Sequence, residues 1–578
     1  MGYHDSACCL LQNGALVAAI EEERFSRSKN DKGTPQRAFR YCLEHSGLRI
    51  GDIDCVAFYE NPRDKLARQI WAAIQDPGAR AYRTAILENL LHESPLETVR
   101  TTLGYEGPIE VVDHHLSHAG SCYLFSQFET AAILTVDGVG DWPTTTYCSG
   151  SGPNIQRIES VDYPHSLGLF YSTLTGYLGF EVNEGEYKMM GLAAYGKPRF
   201  MDALRQLVHS GPAGQYHLDL KYFNFLQTTC MYTPHLLELL GKPPRQPNEP
   251  IEQFHMDLAS SAQQVLEEVL LEKIRYLHAR VPTEALCMAG GVALNVVANS
   301  RCLREGPFKH LFVQPAAGDA GGAVGAAAVA QVRLTGCRPV RPLRNAYLGP
   351  RNEPDAVYRL LQGTSAVFDD YRGREPALLS AAAGYLVDGK VVGWCQGRCE
   401  FGPRALGNRS ILADPRRPEM RDRINASVKM RETFRPFAPS VLEHEQAKHF
   451  ALNHPSPFML ETAQVISPID LPAITHVDGT ARIHSVNGQE NPRFARLLQQ
   501  FLGQTGCPVL LNTSFNLRGE PIVLSALDAI SCFIRSTIDV LVIEDFVIER
   551  QGIPASWELL TQHRARRSSV EHLVYSFL

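Results

Sequence analysis

The sequence predicts an α/β protein of two domains, and three observations carry that reading. Short apolar runs end in Gly-rich or polar loops, as at 131–140, 285–295 and 311–322, and the last two open into helices, which is the strand–loop–helix alternation of α/β folds. A stretch punctuated by Pro339, Pro342, Pro350 and Pro354 interrupts the alternation, so it reads as a boundary. The 578 residues and 44% apolar content suit several large cores, while 20% charged residues with only 45 Gly and 36 Pro exclude a disordered, collagen-like or coiled-coil architecture.

The elements follow in order. Apolar 7–11 and 15–20 flank Asn13-Gly14, a hairpin turn signal. A helix is expected from Pro35 at its first position, behind Thr34 as cap, to a stop at Gly47. Residues 54–59 and 109–112 read as strands, the second running into a helix at His114-His115-Leu116-Ser117-His118. The run 131–136 is apolar but for Thr135, which suits a strand buried on both faces. A helix is expected over 251–277, a strand at 285–288, a helix start near Asn295, a strand at 311–313 and then an Ala-rich helix. Beyond the boundary, 377–387 reads as a helix and 391–396, 509–511 and 540–544 as strands. The tail from Ala555, with Arg564, Arg566 and Arg567, reads as a helix with a basic face. The domains are therefore placed at 1–345 and 373–578, with 346–372 as linker.

Composition limits the function. The net charge is −6 with no long basic run, which argues against a dedicated nucleic-acid partner. No apolar run reaches the ~18 residues that span a bilayer, so no membrane role is expected. The 14 Cys residues include no CxxC pair, which excludes a zinc ribbon and suits a cytoplasmic protein with reduced thiols. The first residues carry neither a basic nor an apolar region of a signal peptide.

Chemistry concentrates in three places. His114 and His118 are four apart, so they share one helix face and can bind one metal ion; Asp137, at the end of a strand, and Asp319, in a Gly-rich loop, can supply oxygen ligands. His115 stands where a zinc protease needs Glu, which disfavours that class. Gly290-Gly291, Gly321-Gly322 and Asp137-Gly138-Val139-Gly140 suit phosphate at helix starts and fit an actin-like ATPase core, with Lys188 as a phosphate partner. In the second half, Arg398, Arg404, Arg409, Lys429, Arg431, Arg435 and Arg482 lie in apolar or Gly/Pro-rich context, unlike a solvated helix face. Arg there suits planar recognition of phosphate or carboxylate, with Asn512-Thr513-Ser514-Phe515-Asn516 following a strand as neutral partners.

These motifs resemble one family along nearly the whole chain. They are His4-Asp5-Ser6-Ala7, Glu21-Glu22-Glu23-Arg24-Phe25-Ser26-Arg27, His114-His115-Leu116-Ser117-His118-Ala119, Val136-Asp137-Gly138, Lys188 with Met190-Gly191-Leu192-Ala193, Ala289-Gly290-Gly291, Gly402-Pro403-Arg404-Ala405-Leu406-Gly407, Arg435-Pro436-Phe437-Ala438-Pro439 and Leu511-Asn512-Thr513-Ser514. The sequence is similar to the bacterial O-carbamoyltransferases that act on nodulation factors, cephalosporins, novobiocin and tobramycin. The resemblance implies an N-terminal actin-like ATPase (ASKHA) domain and a C-terminal YrdC-like domain, the fold that makes threonylcarbamoyl-AMP. It implies that carbamoyl phosphate and ATP form a carbamoyl-adenylate in the second domain, and that a hydroxyl of a small-molecule acceptor attacks it in the first.

Residue roles follow from the same resemblance. Arg404, Lys429, Arg435, Arg482, Asn512 and Ser514 would hold carbamoyl phosphate and the ATP phosphates. Gly290, Gly291, Asn295 and Gly321, with Lys188, would hold the nucleotide. His114, His118, Asp137 and Asp319 would bind a divalent metal, iron by the resemblance, with manganese and magnesium as alternatives. His4 would deprotonate the acceptor hydroxyl. Two other functions stay open: threonylcarbamoyl transfer to tRNA, and an inactive ATP-binding regulatory module. The acceptor stays open, as does association into a homo-oligomer.

One departure from the resemblance stands out. The family carries a short apolar strand before the His-Asp-Ser motif, and here only Met1, Gly2 and Tyr3 precede His4. Either the chain starts further upstream or the first strand is absent, which would leave a sheet edge unpaired.

Overall fold

The computed structural model describes residues 4–75, 94–225, 230–554 and 557. The expected terminal helix from Ala555 lies outside them. The chain divides into two compact units. Among the described residues one comprises 4–22 and 30–343, and the other comprises 23–29 and 344–554 with Trp557. Both are α/β.

The first unit opens with the expected hairpin, β1 (Ala7–Gln12) and β2 (Ala15–Glu21). Asn13 and Gly14 turn it, both at positive φ. Helix α1 (Gln36–Ser46) starts one residue later than expected. Pro35 is its cap position rather than its first residue, and the side chain of Glu22 takes over the capping by accepting from the Ala38 amide at 2.9 Å. Strands β3 (Val56–Phe58) and β4 (Ile109–Val111) pair in parallel, and α2 (His114–Tyr123) follows.

The main sheet of this unit has five strands. It comprises β5 (Thr130–Val136), the antiparallel β6 (Pro143–Ser151) and β7 (Asn154–Asp162), and, after the long helix α3 (Gln253–Arg280), the parallel β8 (Ala285–Ala289) and β9 (His310–Val313). Helix α4 (Val296–Glu305) joins β8 to β9 and α5 (Asp319–Thr335) follows. The order is β9-β8-β5-β6-β7, a meander extended by two parallel strands. That is the sheet an actin-like core calls for, and β5 is buried over all but its first residue. The sequence reading missed β6, which is Thr- and Ser-rich, and β7, where polar residues outnumber Ile155, Ile158 and Val161, so neither carries a strong apolar signal.

Helices α2 and α5 pack at very short range. A Cβ on Gly325 would stand 1.7 Å from the Ser117 carbonyl, so only glycine admits this approach. The contact sets the start of α5 beside the first turn of α2.

Among the described residues β1 pairs only with β2, and β3 only with β4. A cavity of about 360 Å³ lies against the free sides of β1 and β3, with Ala323, Ala327 and Ala330 of α5 also lining it. The small α5 side chains leave this space open.

The second unit holds an eight-stranded mixed sheet. In chain order its elements are β10 (Asp369–Asp370), α6 (Glu375–Val387), β11 (Val392–Cys395), β12 (Arg409–Ala413), β13 (Ala438–Leu442), β14 (His484–Val486), α7 (Pro492–Thr505), β15 (Val509–Ser514), β16 (Val540–Ile543) and β17 (Phe546–Glu549). The sheet order is β10-β17-β16-β11-β12-β15-β13-β14. Its core gathers Trp394, Phe437, Phe494, Phe501, Phe515 and Phe533, all essentially buried. The expected linker 346–372 contains a helix, Pro354–Gln362, and β10, both within this unit. Strand β15 runs through Ser514, so Asn512 and Ser514 lie on the strand rather than after it. The strand continues because β12 and β13 pair with both its sides.

Candidate functional site

The first unit carries a buried quartet. His114 and His118 share a face of α2, Asp137 ends β5 and Asp319 opens α5. One donor atom from each lies within 4.8 Å of the others. His114 Nε2 is 2.9 Å from Asp137 Oδ2, His118 Nε2 is 3.3 Å from it, and both imidazoles are 3.7 Å from Asp319 Oδ1. The two Nε2 atoms are 3.1 Å apart. Burial opposes charge on His118, but the hydrogen bonds and fields of Asp137 and Asp319 outweigh it and raise its pKa to about 9. Asp137 is held well below the usual carboxylate range: desolvation pushes it up and the two histidines overcome that push. Two imidazole nitrogens and two carboxylate oxygens aimed at one point fit a divalent transition metal.

Local backbone fixes these ligands. The other Asp137 oxygen accepts from the Gly291 amide at 2.8 Å. Gly290 holds φ +94°, and a Cβ there would stand 2.2 Å from the Val136 carbonyl. The tight loop after β8 therefore requires glycine and pins the carboxylate after β5. Sequence reasoning left out Asp141. Its carboxylate accepts from the His114 amide at 2.9 Å and the Asn61 amide at 3.0 Å, and burial raises its pKa to about 6. The signal was its place four residues after Asp137. His115, read as occupying the catalytic-base position of a zinc protease, bonds Thr135 instead, and burial keeps it neutral.

The other expected residues of this unit divide. His4 lies at the rim of the quartet, its Nε2 4.0 Å from Asp319 and its Nδ1 3.0 Å from Asp5. Burial would lower its pKa, but Asp319 and Asp5 raise it to about 9. Asn295 caps α4, accepting from the Ala298 amide and exchanging hydrogen bonds with Gln263, so its side chain is engaged within the fold. Gly321 lies in the first turn of α5 against the Ala316 carbonyl. Lys188 lies on the helix Glu186–Ala193 over the Phe180 ring.

The second unit gathers cations. Arg404, Arg431 and Arg435 all press electrostatically on Arg482, whose charge is disfavoured first by burial and then by these like charges. Arg482 Nε is buried without a hydrogen-bond partner, and so is Asn512 Oδ1. Lys429 is 3% exposed and donates to Ser514 Oγ at 3.1 Å and Asn516 Oδ1 at 2.7 Å, all neutral oxygens. Burial and then Arg431 drive its pKa well below the usual lysine range. Glu432 approaches Arg435 at 3.9 Å. Asn512 Nδ2 donates to the Ala405 carbonyl and to Ser440 Oγ, so β15 touches the loop that carries Arg404. A converging set of cations, with Arg482 Nε and Asn512 Oδ1 buried and unsatisfied among them, fits a polyanionic ligand.

Two of the sequence-selected arginines do other work. Arg409 is fully buried and donates to the carbonyls of Gln396, Gly397, Leu524 and Pro350. Arg398 donates to Gly349 and Leu348. Both brace loops.

Comparison with known proteins bears on both units. The chain matches the family descriptions "Carbamoyltransferase N-terminus" over residues 1–328 and "Carbamoyltransferase C-terminus" over 383–550. It is 43% identical to an uncharacterized Synechocystis protein, sll1178, with 96% of each chain covered. It is 39% identical to nodulation protein NolNO of Sinorhizobium fredii, covering 99% of this chain and 83% of that one. It is 33% identical to the 3'-hydroxymethylcephem-O-carbamoyltransferase of Streptomyces clavuligerus, covering 89% and 92%.

Proposed function

The chain belongs to the carbamoyltransferase family, and from that premise we propose that it is an ATP-dependent O-carbamoyltransferase working through a carbamoyl-adenylate. The observation that carries this reading is the convergence of Arg404, Arg431, Arg435 and Arg482 in the second unit, with Lys429 close to Arg431 and Arg435. Carbamoyl phosphate and ATP together bring the phosphate charge that such a cluster suits.

In the first step carbamoyl phosphate is cleaved by water to carbamate and orthophosphate. A carbamate oxygen then attacks the α-phosphorus of ATP, and pyrophosphate leaves. Arg404, Arg435 and Arg482 bind the phosphates as fixed, pre-organised charges, so little reorganisation is needed as charge develops. Lys429, held by Ser514 and Asn516, takes up its charge beside the bound phosphates, whose anionic field offsets the burial that disfavours it. Asn512 Oδ1 offers an acceptor to the carbamoyl amide.

In the second step an acceptor hydroxyl attacks the carbamoyl carbon and AMP leaves. His114, His118, Asp137 and Asp319 would hold a divalent cation, which supplies Lewis-acid polarisation of the adenylate phosphate. Gly290 and Gly291 bring backbone close to the nucleotide, and Lys188 meets its phosphates. With the charge of Asp319 taken up by a cation at the quartet, His4 would be neutral and would receive the hydroxyl proton at Nε2, and its Nδ1 contact with Asp5 orients the ring.

The test is pyrophosphate release from the purified protein given ATP, with and without carbamoyl phosphate and without acceptor. Release that depends on carbamoyl phosphate supports the proposal. Release that depends on threonine and bicarbonate would move the protein to threonylcarbamoyl chemistry. ATP binding without release would make it a regulatory module.

A further inference from the structure

The motif Glu21 to Arg27 was recognised without a role, and the second unit contains most of it. Residues Glu23–Lys29 belong to this unit although their chain neighbours on both sides do not. Within the segment, Arg24 is 2% exposed, and its Nη2 donates to the Gly402 carbonyl at 2.7 Å. Its charge is balanced by Glu23 at 3.2 Å, which also meets Lys29 at 3.0 Å. Arg27 donates from Nη1 to Ile522 O and from Nη2 to Pro521 O, both at 2.7 Å, and its Nε lies 3.6 Å from Asp528.

Those carbonyls belong to the two loops that build the cation cluster. Gly402, at φ +109°, stands two residues before Arg404. At the far end of that loop the buried Glu400 accepts from the amides of Leu406, Asn408 and Arg409 at 2.8–3.1 Å. Pro521 and Ile522 close the loop that begins at Ser514 and Asn516, the partners of Lys429, and Asn516 Nδ2 spans that loop to the Glu520 carbonyl at 2.7 Å. Like charges gathered at one point repel one another, so their loops must be held by bonds that do not depend on the ligand.

We propose that Arg24 and Arg27 are positioning residues that clamp the Arg404 loop and the 514–522 loop into one anion-binding geometry. The inference rests on the reading of this cluster as the carbamoyl-phosphate site. Neither arginine touches the ligand; each acts through backbone carbonyls.

The test uses the full-length protein and two readouts. Inorganic phosphate is titrated calorimetrically into wild type, R24A, R24K, R27A and, as control, R404A. The KM for carbamoyl phosphate and kcat are read from pyrophosphate release, and metal content is measured in each variant. The expected result is a phosphate affinity at least fivefold weaker in R24A and R27A, with KM raised by a similar factor, kcat changed less and metal content unchanged. R24K should recover most of the loss by keeping one donor to Gly402. If R24A does not fold, because Glu23 loses its buried partner, the partly exposed Arg27 carries the test through R27A. Folded R24A or R27A protein that binds phosphate as wild type does overturns the proposal. Wild type that binds phosphate but releases no pyrophosphate would end the adenylation reading, and the clamp would still be decided by the phosphate titrations. Wild type that binds no phosphate overturns both.

Discussion

His114 Nε2 and His118 Nε2 stand 3.1 Å apart inside the first unit, and both face Asp137 Oδ2. In the absence of a cation, two imidazoles at this distance share protons with the carboxylates. With one, all four side chains gain a common partner and release those protons. We expect the purified protein to bind a single divalent cation per chain. His118→Ala and Asp319→Asn should each weaken that binding at least about tenfold, read by elemental analysis after dialysis. Full metal content in both variants would place the cation elsewhere.

The division of labour between the units gives a second prediction. Arg404→Ala should cut carbamoyl-phosphate-dependent pyrophosphate release by about a hundredfold or more, the scale of losing a preorganised charge at the reacting phosphate. His114→Ala should keep part of that release and block carbamoyl transfer to an acceptor. Equal loss of the first step in both variants would show that the quartet also serves adenylate formation.

Glu544 makes stability depend on pH. It is 7% exposed, its Oε1 is buried without a partner, and burial lifts its pKa to about 7 against the pull of Arg409 and Arg493. A carboxyl with a raised folded pKa keeps its proton in the native state while the unfolded chain has lost it. Native protein therefore binds more protons over the window from about pH 4.5 to 7, and stability falls as pH rises through it. Glu544→Gln should remove that slope and gain up to about 3 kcal/mol at pH 8 relative to wild type. Thermal melts of both proteins at pH 5 and pH 8 check this; a constant difference between them would mean the carboxyl titrates normally.

The free sides of β1 and β3 give a fourth prediction. The cavity between them has strand edges on two sides and the small residues of α5 on another, and Asp5, at φ +54°, turns the chain at its rim. Ala327→Leu, which fills that space from α5, should raise the melting temperature. An unchanged or lower melting temperature in thermal melts would show that the space does not take a side chain.

Much of this architecture was legible because its signals are local. Asn13-Gly14 fixes a hairpin wherever it stands, and the apolar run 131–136 has few alternatives to a buried strand. The spacing of His114 and His118 placed both on one helix face. The misses are equally physical. Strand β6 takes its place from pairing with β5 and β7 from pairing with β6, not from apolar side chains. Pro35 proved a cap because Glu22, distant in the sequence reading, supplies the hydrogen bond. Arg409 looked like a ligand residue, and only the tertiary structure surrounds it with the carbonyls of four loop residues.

The sequence alone determined the residue types at each site, the family they belong to and the α/β class, because these depend on identity, order and short-range periodicity. The tertiary structure decided which of those residues meet. Asp319 reaches His114 and His118 only because glycine lets α2 and α5 approach at Gly325, and Asp137 faces them only because the Gly290 turn holds it. Arg24 enters the second unit from a segment whose neighbours belong to the first. Such contacts join residues hundreds of positions apart and are set by packing and backbone closure, which leave no periodic mark in the chain.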